Sequence, residues 1–292
     1  MKRKNIFTLA LAALLVACGG ASHGSPITKE EAVAQASTMK EKVASEEFVA
    51  PTKIHIKTSI TANSSQYSNK MDAEIHQDLD NYGYSVKMVT EATVEGEKQE
   101  ESTYMGIWLE GTVLYMAVAQ GETKEYAKMD CGEQATEIFN SSIQSSEGQT
   151  FDKTFFATQL DSVAAIFDAE AMEKSLKESL GGLAANAEFN ASTSAATKGE
   201  GHLYVEANYS VSFAMEESGA SMNMTASSKS NAEFNNYLLS SLYEEGNINM
   251  SVSYNGETES DTMKTVTSLT ADYGTSFAKP DLAGYTERTM NY

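Results

Sequence analysis

The sequence predicts an α+β protein whose large curved antiparallel sheet, a half-barrel of roughly ten strands, has helices covering its concave face. Two observations carry this prediction. Apolar and polar residues alternate with a period of two through most of 52–119 and 203–273, as expected for strands with one buried face. Between these runs, about 130–182 shows apolar residues at helical spacing. So wide a sheet tends to curl, and apolar helices suit its inner face.

The first run of strands begins at Thr52, where isoleucines alternate with Lys53, His55 and Lys57. Further alternating segments follow at about 71–75, 82–88, 104–109 and 112–119. The segment 104–109 has large side chains on both faces of the predicted strand: Met105 on one face, and Tyr104 and Trp108 on the other. This pattern is typical of a central strand that is covered on both sides.

Two capping boxes predict where helices begin. The Thr28 and Glu31 side chains can each accept a hydrogen bond from the other residue's backbone amide, which predicts a helix at about 29–45. Asp130 and Glu133 have the same spacing and predict the start of the helical insert. Apolar stripes support both helical regions: Val33, Ala36, Met39 and Val43 in the first, then Ile138, Phe139, Ile143, Phe156, Leu160, Val163, Phe167, Met172, Leu176 and Leu180 in the insert. The pair Gly181-Gly182 predicts the end of the insert.

The final third predicts strands again. From Leu203 to Met215 the odd-numbered residues are apolar, so they are expected to be buried. Asn255-Gly256 predicts a tight hairpin turn. The segment 232–245 fits a helix and a strand equally well.

The N-terminus has the layout of a secretory signal. Lys2, Arg3 and Lys4 precede an apolar run, Ile6 to Ala17, and the signal itself is assigned to residues 1–17. A helix of twelve residues spans roughly 18 Å, which is too short for a hydrocarbon core of about 30 Å.

The residues Leu15-Val16-Ala17-Cys18 resemble the lipobox of bacterial lipoproteins. The resemblance implies transfer of diacylglycerol to the Cys18 thiol and cleavage before Cys18, with acylation of the new N-terminus, for example with palmitate, as a further step. It also implies an extracytoplasmic protein that is lipid-anchored to a membrane, which is the outer membrane if the host has one. Residues 18–27 would then be the lipidated cysteine and a tether, and 28–292 a single domain. The alternative is an ordinary cleaved signal with Cys18 near the cut by chance.

The composition of the chain argues against some classes of binding partner. The chain has a net charge of −20; the signal removes three of 21 basic residues and none of 41 acidic ones, so the mature charge is −23. Nucleic acid and anionic headgroups repel such a surface. Lipidation of Cys18 would leave Cys131 as the single thiol, so no intrachain disulfide is expected. A structural thiol is favoured over a reactive one. The oligomeric state is open.

The order of signal, lipobox, helix, sheet, helical insert and sheet resembles the half-barrel lipoproteins related to LolA, LolB and LppX. Two local segments support it: Trp108 to Met116, an aromatic before a glycine turn and an apolar strand, and Asp272 to Pro280, a Tyr-Gly turn followed by proline. The resemblance covers about 28–285. The chain departs from LolA in two respects. LolA is not anchored to a membrane. The mature chain also has a single arginine, Arg288, so the arginine-centred lid of such carriers has no counterpart here.

The sequence predicts a protein that is not an enzyme and that carries no cofactor and no metal. The four histidines, His23, His55, His76 and His202, form no ligand pair at helical spacing. The carboxylate pairs are sequence neighbours, which diverge on a helix or a strand. No nucleophile motif or phosphate-binding glycine loop is present.

The expected function is binding or shielding of a lipid or another hydrophobic molecule. Thioether side chains repack around irregular ligands, and seven methionines fall on predicted apolar strand faces: Met71, Met105, Met116, Met215, Met222, Met224 and Met250. Ordinary core filling explains them equally well. The predicted ligand-lining residues are the inward side chains on either side of Gly111: Met105, Ile107, Leu109, Leu114, Met116 and Val118. The alternative is a structural or adhesive surface lipoprotein with a filled core.

Overall fold

The computed structural model of the protein describes residues 23–65, 67–94, 96–145, 151–180, 187–217, 220–254 and 257–288. These residues form mostly β structure, with thirteen strands in one open sheet and four α-helices. The predicted large sheet with few helices is therefore confirmed. The strand order is β1-β8-β9-β10-β11-β12-β2-β3-β4-β5-β6-β7-β13.

The strands are β1 Ser25–Ile27, β2 Lys53–Asn63, β3 Tyr67–Asp78, β4 Gly83–Val94, β5 Glu97–Glu110, β6 Val113–Gln120, β7 Thr123–Asp130, β8 Glu188–Thr197, β9 Leu203–Glu217, β10 Ala220–Asn235, β11 Leu238–Tyr254, β12 Glu257–Asp272 and β13 Thr286–Glu287. The helices are α1 Lys29–Ala44, α2 Ala135–Ser145, α3 Lys153–Ile166 and α4 Ala169–Leu180. The sequence pattern does not predict β7 and β8, because charged residues in the first and small residues in the second hide the alternation. It also does not predict the very short β1 and β13.

The chain forms two compact units, each assembled from three segments. Unit 1 contains Met1–Phe48, Ile60–Ser68 and Lys153–Ser268, and unit 2 contains Val49–Ser59, Asn69–Asp152 and Leu269–Tyr292.

In unit 1, β8 to β11 are antiparallel neighbours, and one face of the sheet is apolar. The odd-numbered side chains of β9 from Leu203 to Phe213 are buried on this face, as the alternation predicts. Helix α1 begins with the predicted capping box, in which the Thr28 hydroxyl accepts from the Glu31 amide and the Glu31 carboxylate accepts from the Thr28 amide. Helices α1 and α3 pack on each other, α1 against β8 and β9, and α3 against β11.

The ambiguous segment 232–245 belongs to two strands joined by a two-residue turn. Asn236 and Tyr237 both have positive φ, 50° and 70°, which suits the tight turns that join twisted antiparallel strands. Sequence periodicity could not separate strand from helix here because the apolar residues Leu238, Leu239 and Leu242 satisfy both spacings.

In unit 2, α2 packs against β5 and β6. Phe139 and Ile143 of α2 are buried against Tyr84, Ile107 and other apolar side chains of the sheet. The predicted capping box at Asp130 and Glu133 is wrong: Asp130 ends β7 and its carboxylate accepts from the Gly132 amide at 3.1 Å. A short 3₁₀ turn, Gly132–Gln134, precedes the helix instead.

The opposite face of unit 2 is covered by the chain that follows β12. The Phe277 amide donates to the buried Asp78 carboxylate at 3.0 Å. A Cβ on Gly83 would meet the Phe277 ring at 2.2 Å, so glycine makes room for this ring. Trp108, paired with Gly83, is buried and stacks on Tyr115. The sheet around β5 is therefore covered on both faces, as predicted.

Candidate ligand-binding surface

The six predicted ligand-lining residues lie on one face of β5 and β6 in unit 2, as three cross-strand pairs. The pairs are Met105 with Val118, Ile107 with Met116, and Leu109 with Leu114. Ile107, Leu109 and Leu114 are buried and the two methionines are partly buried in the cluster that Phe139 and Ile143 complete. Val118 is 51% exposed. Helix α2 thus occupies the space in front of five of the six, and their role as ligand contacts stays a prediction.

A depression of about 350 Å³ lies at this helix, lined by Gln134, Glu137, Ile138, Ser141 and Ser142. It is broadly open, and four of its five lining residues are polar. Such a surface lacks the enclosure and apolar walls of a site for a hydrophobic molecule.

A more open apolar surface lies in unit 1, where β9, β10 and β11 extend beyond the region that α1 and α3 cover. We call it the apolar strip. The strand register places residues of the three strands side by side on one face of the sheet. The residues of the strip are Met215, Met222, Met224, Ala226, Ile248, Met250, Val252 and Tyr254. Met250 is 42% exposed, Val252 38% and Tyr254 59%, and the others are half-buried. Large contiguous apolar patches on protein surfaces are a common feature of interaction sites, so the strip is a candidate binding surface.

Glu244 marks the inner end of the apolar strip. It lies opposite Ser230, which is buried, and next to the Ser228–Gly246 pair; the Ala226–Ile248 row of the strip follows. The Ser228 hydroxyl donates to the Glu244 carboxylate at 3.4 Å. Burial raises the pKa of Glu244 to about 7, and this single hydrogen bond only partly opposes the effect.

One edge of the strip is acidic. The Thr262 hydroxyl donates to Asn249 at 3.0 Å and the Lys264 ammonium to Glu245 at 2.8 Å. These contacts place even-numbered residues of β12 on the polar face of the sheet. The odd-numbered residues therefore lie on the side of the strip, and they include Glu257, Glu259, Asp261 and Met263.

Three of the four histidines are hydrogen-bonded, two in unit 2 and one in unit 1. In unit 2, His55 stacks on His76 with ring centres 4.5 Å apart and bonds Glu74 at 2.6 Å. In unit 1, His202 is buried and bonds Glu233 at 2.9 Å, and the Lys198 amide donates to its second ring nitrogen.

Within the described residues, no group of three or more histidine, cysteine, aspartate and glutamate side chains could hold a metal ion. Cys131 is half-buried, and its thiol donates to the Met129 carbonyl at 3.6 Å. Its neighbours are the apolar side chains packed under α2.

The predicted anchor falls largely outside the described residues, which begin at His23. Cys18 and the signal at 1–17 belong to the part that is not described, as do Asn255-Gly256 and Gly181-Gly182. Of the predicted tether, Ser25–Ile27 forms β1, which pairs with β8. None of the helices in the described segments combines the length and the apolar character needed to cross a membrane.

The sequence pattern places four methionines of the strip on apolar strand faces but predicts the ligand surface elsewhere, on either side of Gly111. The alternation has equal quality along the whole of β9 and β10, and it carries no information on which end a helix covers. Comparison with models of known protein families gives no match, and comparison with curated proteins gives none either.

Proposed function

We propose that the protein is a lipid-anchored, extracytoplasmic, non-enzymatic protein whose sheet curves as a half-barrel with helices on its concave face, and that it binds a lipid or another apolar molecule. The observation that carries the proposal is the apolar strip: three strands present a continuous apolar face that the packed helices of unit 1 leave half exposed. A straight hydrocarbon chain lying along these strands would remove that face from water.

The strip has the dimensions for such a chain. From Glu244 to Met250 the strand advances roughly 20 Å, at about 3.3 Å per residue. Each buried methylene group contributes about 0.8 kcal/mol. Association costs offset several kcal/mol of this gain, so we expect dissociation constants in the micromolar range for single-chain ligands.

The side chains of the strip favour an irregular or variable ligand. Four of the eight members are methionines: Met215, Met222, Met224 and Met250. Their unbranched, polarisable side chains adapt to different shapes at low cost. A mixed set of chain lengths or branching patterns therefore suits this surface better than one rigid molecule.

Anchoring through Cys18 is supported by the sequence alone, and labelling tests it. Cells that produce the protein are fed an alkyne-tagged palmitate, and label is measured on the unmodified chain and on Cys18→Ala. We expect label only on the unmodified chain and an uncleaved precursor for the variant. Label on Cys18→Ala would overturn the lipobox interpretation.

Binding is tested with a chain that starts at residue 18 and carries Cys18→Ser, which retains every described helix and strand. The neutral probe N-phenylnaphthylamine is titrated into this protein, into Met250→Asp and into Ser251→Asp. Ser251 is the next residue on β11, on the opposite face, so it is the matched control. We expect Met250→Asp to weaken binding at least about tenfold and Ser251→Asp to leave it unchanged. Absence of probe binding by the parent chain would refute the proposal.

The second candidate is a structural or adhesive lipoprotein without a small-molecule ligand. The packing of five predicted lining residues under α2 favours it, since that part of the core is filled. In this case the apolar strip would contact another macromolecule. The parent chain would then bind no probe, and Met250→Asp would alter association measured by analytical ultracentrifugation.

A further inference from the structure

The position of Glu244 adds a second recognition element to the apolar strip. Its carboxyl group is half-buried at the end where the strip meets the helix-covered core, and the Ser228 hydroxyl is its hydrogen-bond donor. Among the described residues, no lysine, arginine or histidine nitrogen lies within ion-pair distance of this carboxylate. Holding a carboxylate in partly apolar surroundings without a neighbouring cation costs free energy, and a positively charged group of a ligand beside it would lower that cost.

The other charges near the strip have the same sign. Glu259 and Asp261 lie on its side of β12. The Ser65 hydroxyl donates to the Asp261 carboxylate at 2.7 Å, and this neutral hydrogen-bond partner leaves the negative charge of Asp261 in place. The neighbouring lysines are on the polar face: Lys264 pairs with Glu245, and Lys229 lies directly opposite Glu245. Above about pH 7, where Glu244 is ionised, the strip therefore has negative charge at its inner end and along one edge.

From this arrangement we infer that the apolar strip selects amphiphiles with a straight hydrocarbon chain and a positively charged amino head, and that the Glu244 carboxylate receives the head. The inference rests on the proposed function and specifies its ligand class. The chain lies along β10 and β11 toward Met250, and the ammonium group donates hydrogen bonds to Glu244. An anionic head would meet repulsion at the same place, and a hydroxyl head would gain a hydrogen bond without the charge.

The experiment compares three ligands with the same chain: decylamine, decanol and decanoate, each below its micellar concentration. Calorimetric titration at about pH 8.5 keeps both the amine and most of the Glu244 carboxylate charged. We expect decylamine to bind about tenfold more tightly than decanol, and decanoate to bind most weakly.

Glu244→Gln and Glu245→Gln separate specific recognition from general attraction to an acidic protein. Both variants remove one negative charge from adjacent positions of β11, and only Glu244 faces the strip. We expect Glu244→Gln to abolish the preference for decylamine over decanol while decanol affinity stays unchanged. Glu245→Gln should keep the preference.

Equal binding of decylamine and decanol by the parent chain, or the same loss in both variants, would overturn the assignment of Glu244 while the apolar strip stands. Failure of decanol itself to bind would instead overturn the proposed function. Circular dichroism of both variants confirms that the fold is retained before the affinities are compared.

Discussion

The apolar strip of unit 1 and the α2-covered cluster of unit 2 have nearly the same sequence character and opposite exposure. Each presents methionine and other apolar side chains at every second position of antiparallel strands, although the residues between them are polar in the strip and mostly aromatic or small in the cluster. Ile107 is 1% exposed beneath Phe139, whereas Met250, on a comparable strand, is 42% exposed. The alternation identifies which face of a strand is apolar, and the presence or absence of a helix packed on that face decides whether it is buried or exposed.

The largest expected effect comes from placing the same charge in both regions. Ile107→Asp should lower the free energy of unfolding by at least about 4 kcal/mol, because an unpaired carboxylate would be forced into a filled core. Met250→Asp should change it by less than about 0.5 kcal/mol, since its side chain already reaches water. Urea denaturation followed by circular dichroism measures both. Equal losses would mean that the strip is core.

The second comparison tests the face assignment where β9 enters the strip. Val211 is buried and Ser210, on the opposite face, is exposed. Val211→Asp should cost about 3 kcal/mol and Ser210→Asp less than about 0.5 kcal/mol. Thermal melting of the two variants checks this, and similar melting temperatures would refute the assigned face.

Overpacking gives a smaller effect. Met116→Trp adds bulk to the cluster beneath α2 and should cost about 1–3 kcal/mol. Met250→Trp adds the same bulk to an open surface and should be tolerated within about 0.5 kcal/mol. A tolerated Met116→Trp would show that the cluster contains free space, and it would restore the six residues around Gly111 as the better ligand site.

The pH dependence of the free energy of unfolding tests the burial of Glu244 at the inner end of the strip. Burial raises the pKa of Glu244 to about 7 in the folded protein, from an ordinary value of 4.5 for a glutamate in water. The folded protein therefore holds this proton more tightly, and the stability it gives is present below about pH 4.5 and lost as the pH rises through about 7. After allowance for solvent screening, Glu244→Gln should stabilise the protein by about 1–2 kcal/mol at about pH 8 and hardly at all at about pH 4. Denaturation at both pH values, with Glu245→Gln as control, decides the question.

Much of the fold could be predicted from local patterns, because these report on the strand or helix itself. The capping box of Thr28 and Glu31 located the start of α1, and the alternation from Leu203 located β9 and its buried face. The second box failed at Asp130, because a residue type that caps a helix can equally end a strand and bind a following turn amide.

The candidate site could be predicted only in part, because it depends on contacts distant in sequence. The six residues around Gly111 share one face, as expected, but their cover, α2, could be placed only once the sheet order was known. Glu244 gave no signal in the sequence: it stands beside Glu245, and the pair resembles an ordinary solvated surface. Only the strand pairing separates them: Glu245 accepts a hydrogen bond from Lys264 of β12, and Glu244 accepts one from Ser228 of β10.

Photo-crosslinking is the most direct test of the apolar strip as the binding surface. A long-chain alcohol with a diazirine on its chain is bound to the chain that starts at residue 18 with Cys18→Ser, activated by light, and mapped by peptide mass spectrometry. We expect label on the peptides of β10 and β11 that contain Met222, Met224 and Met250, and its loss when decanol competes. Label confined to the β5–β6 peptides from Met105 to Val118 would show that the ligand binds elsewhere than at the apolar strip. Absence of any label that decanol displaces would show that the strip binds no such ligand.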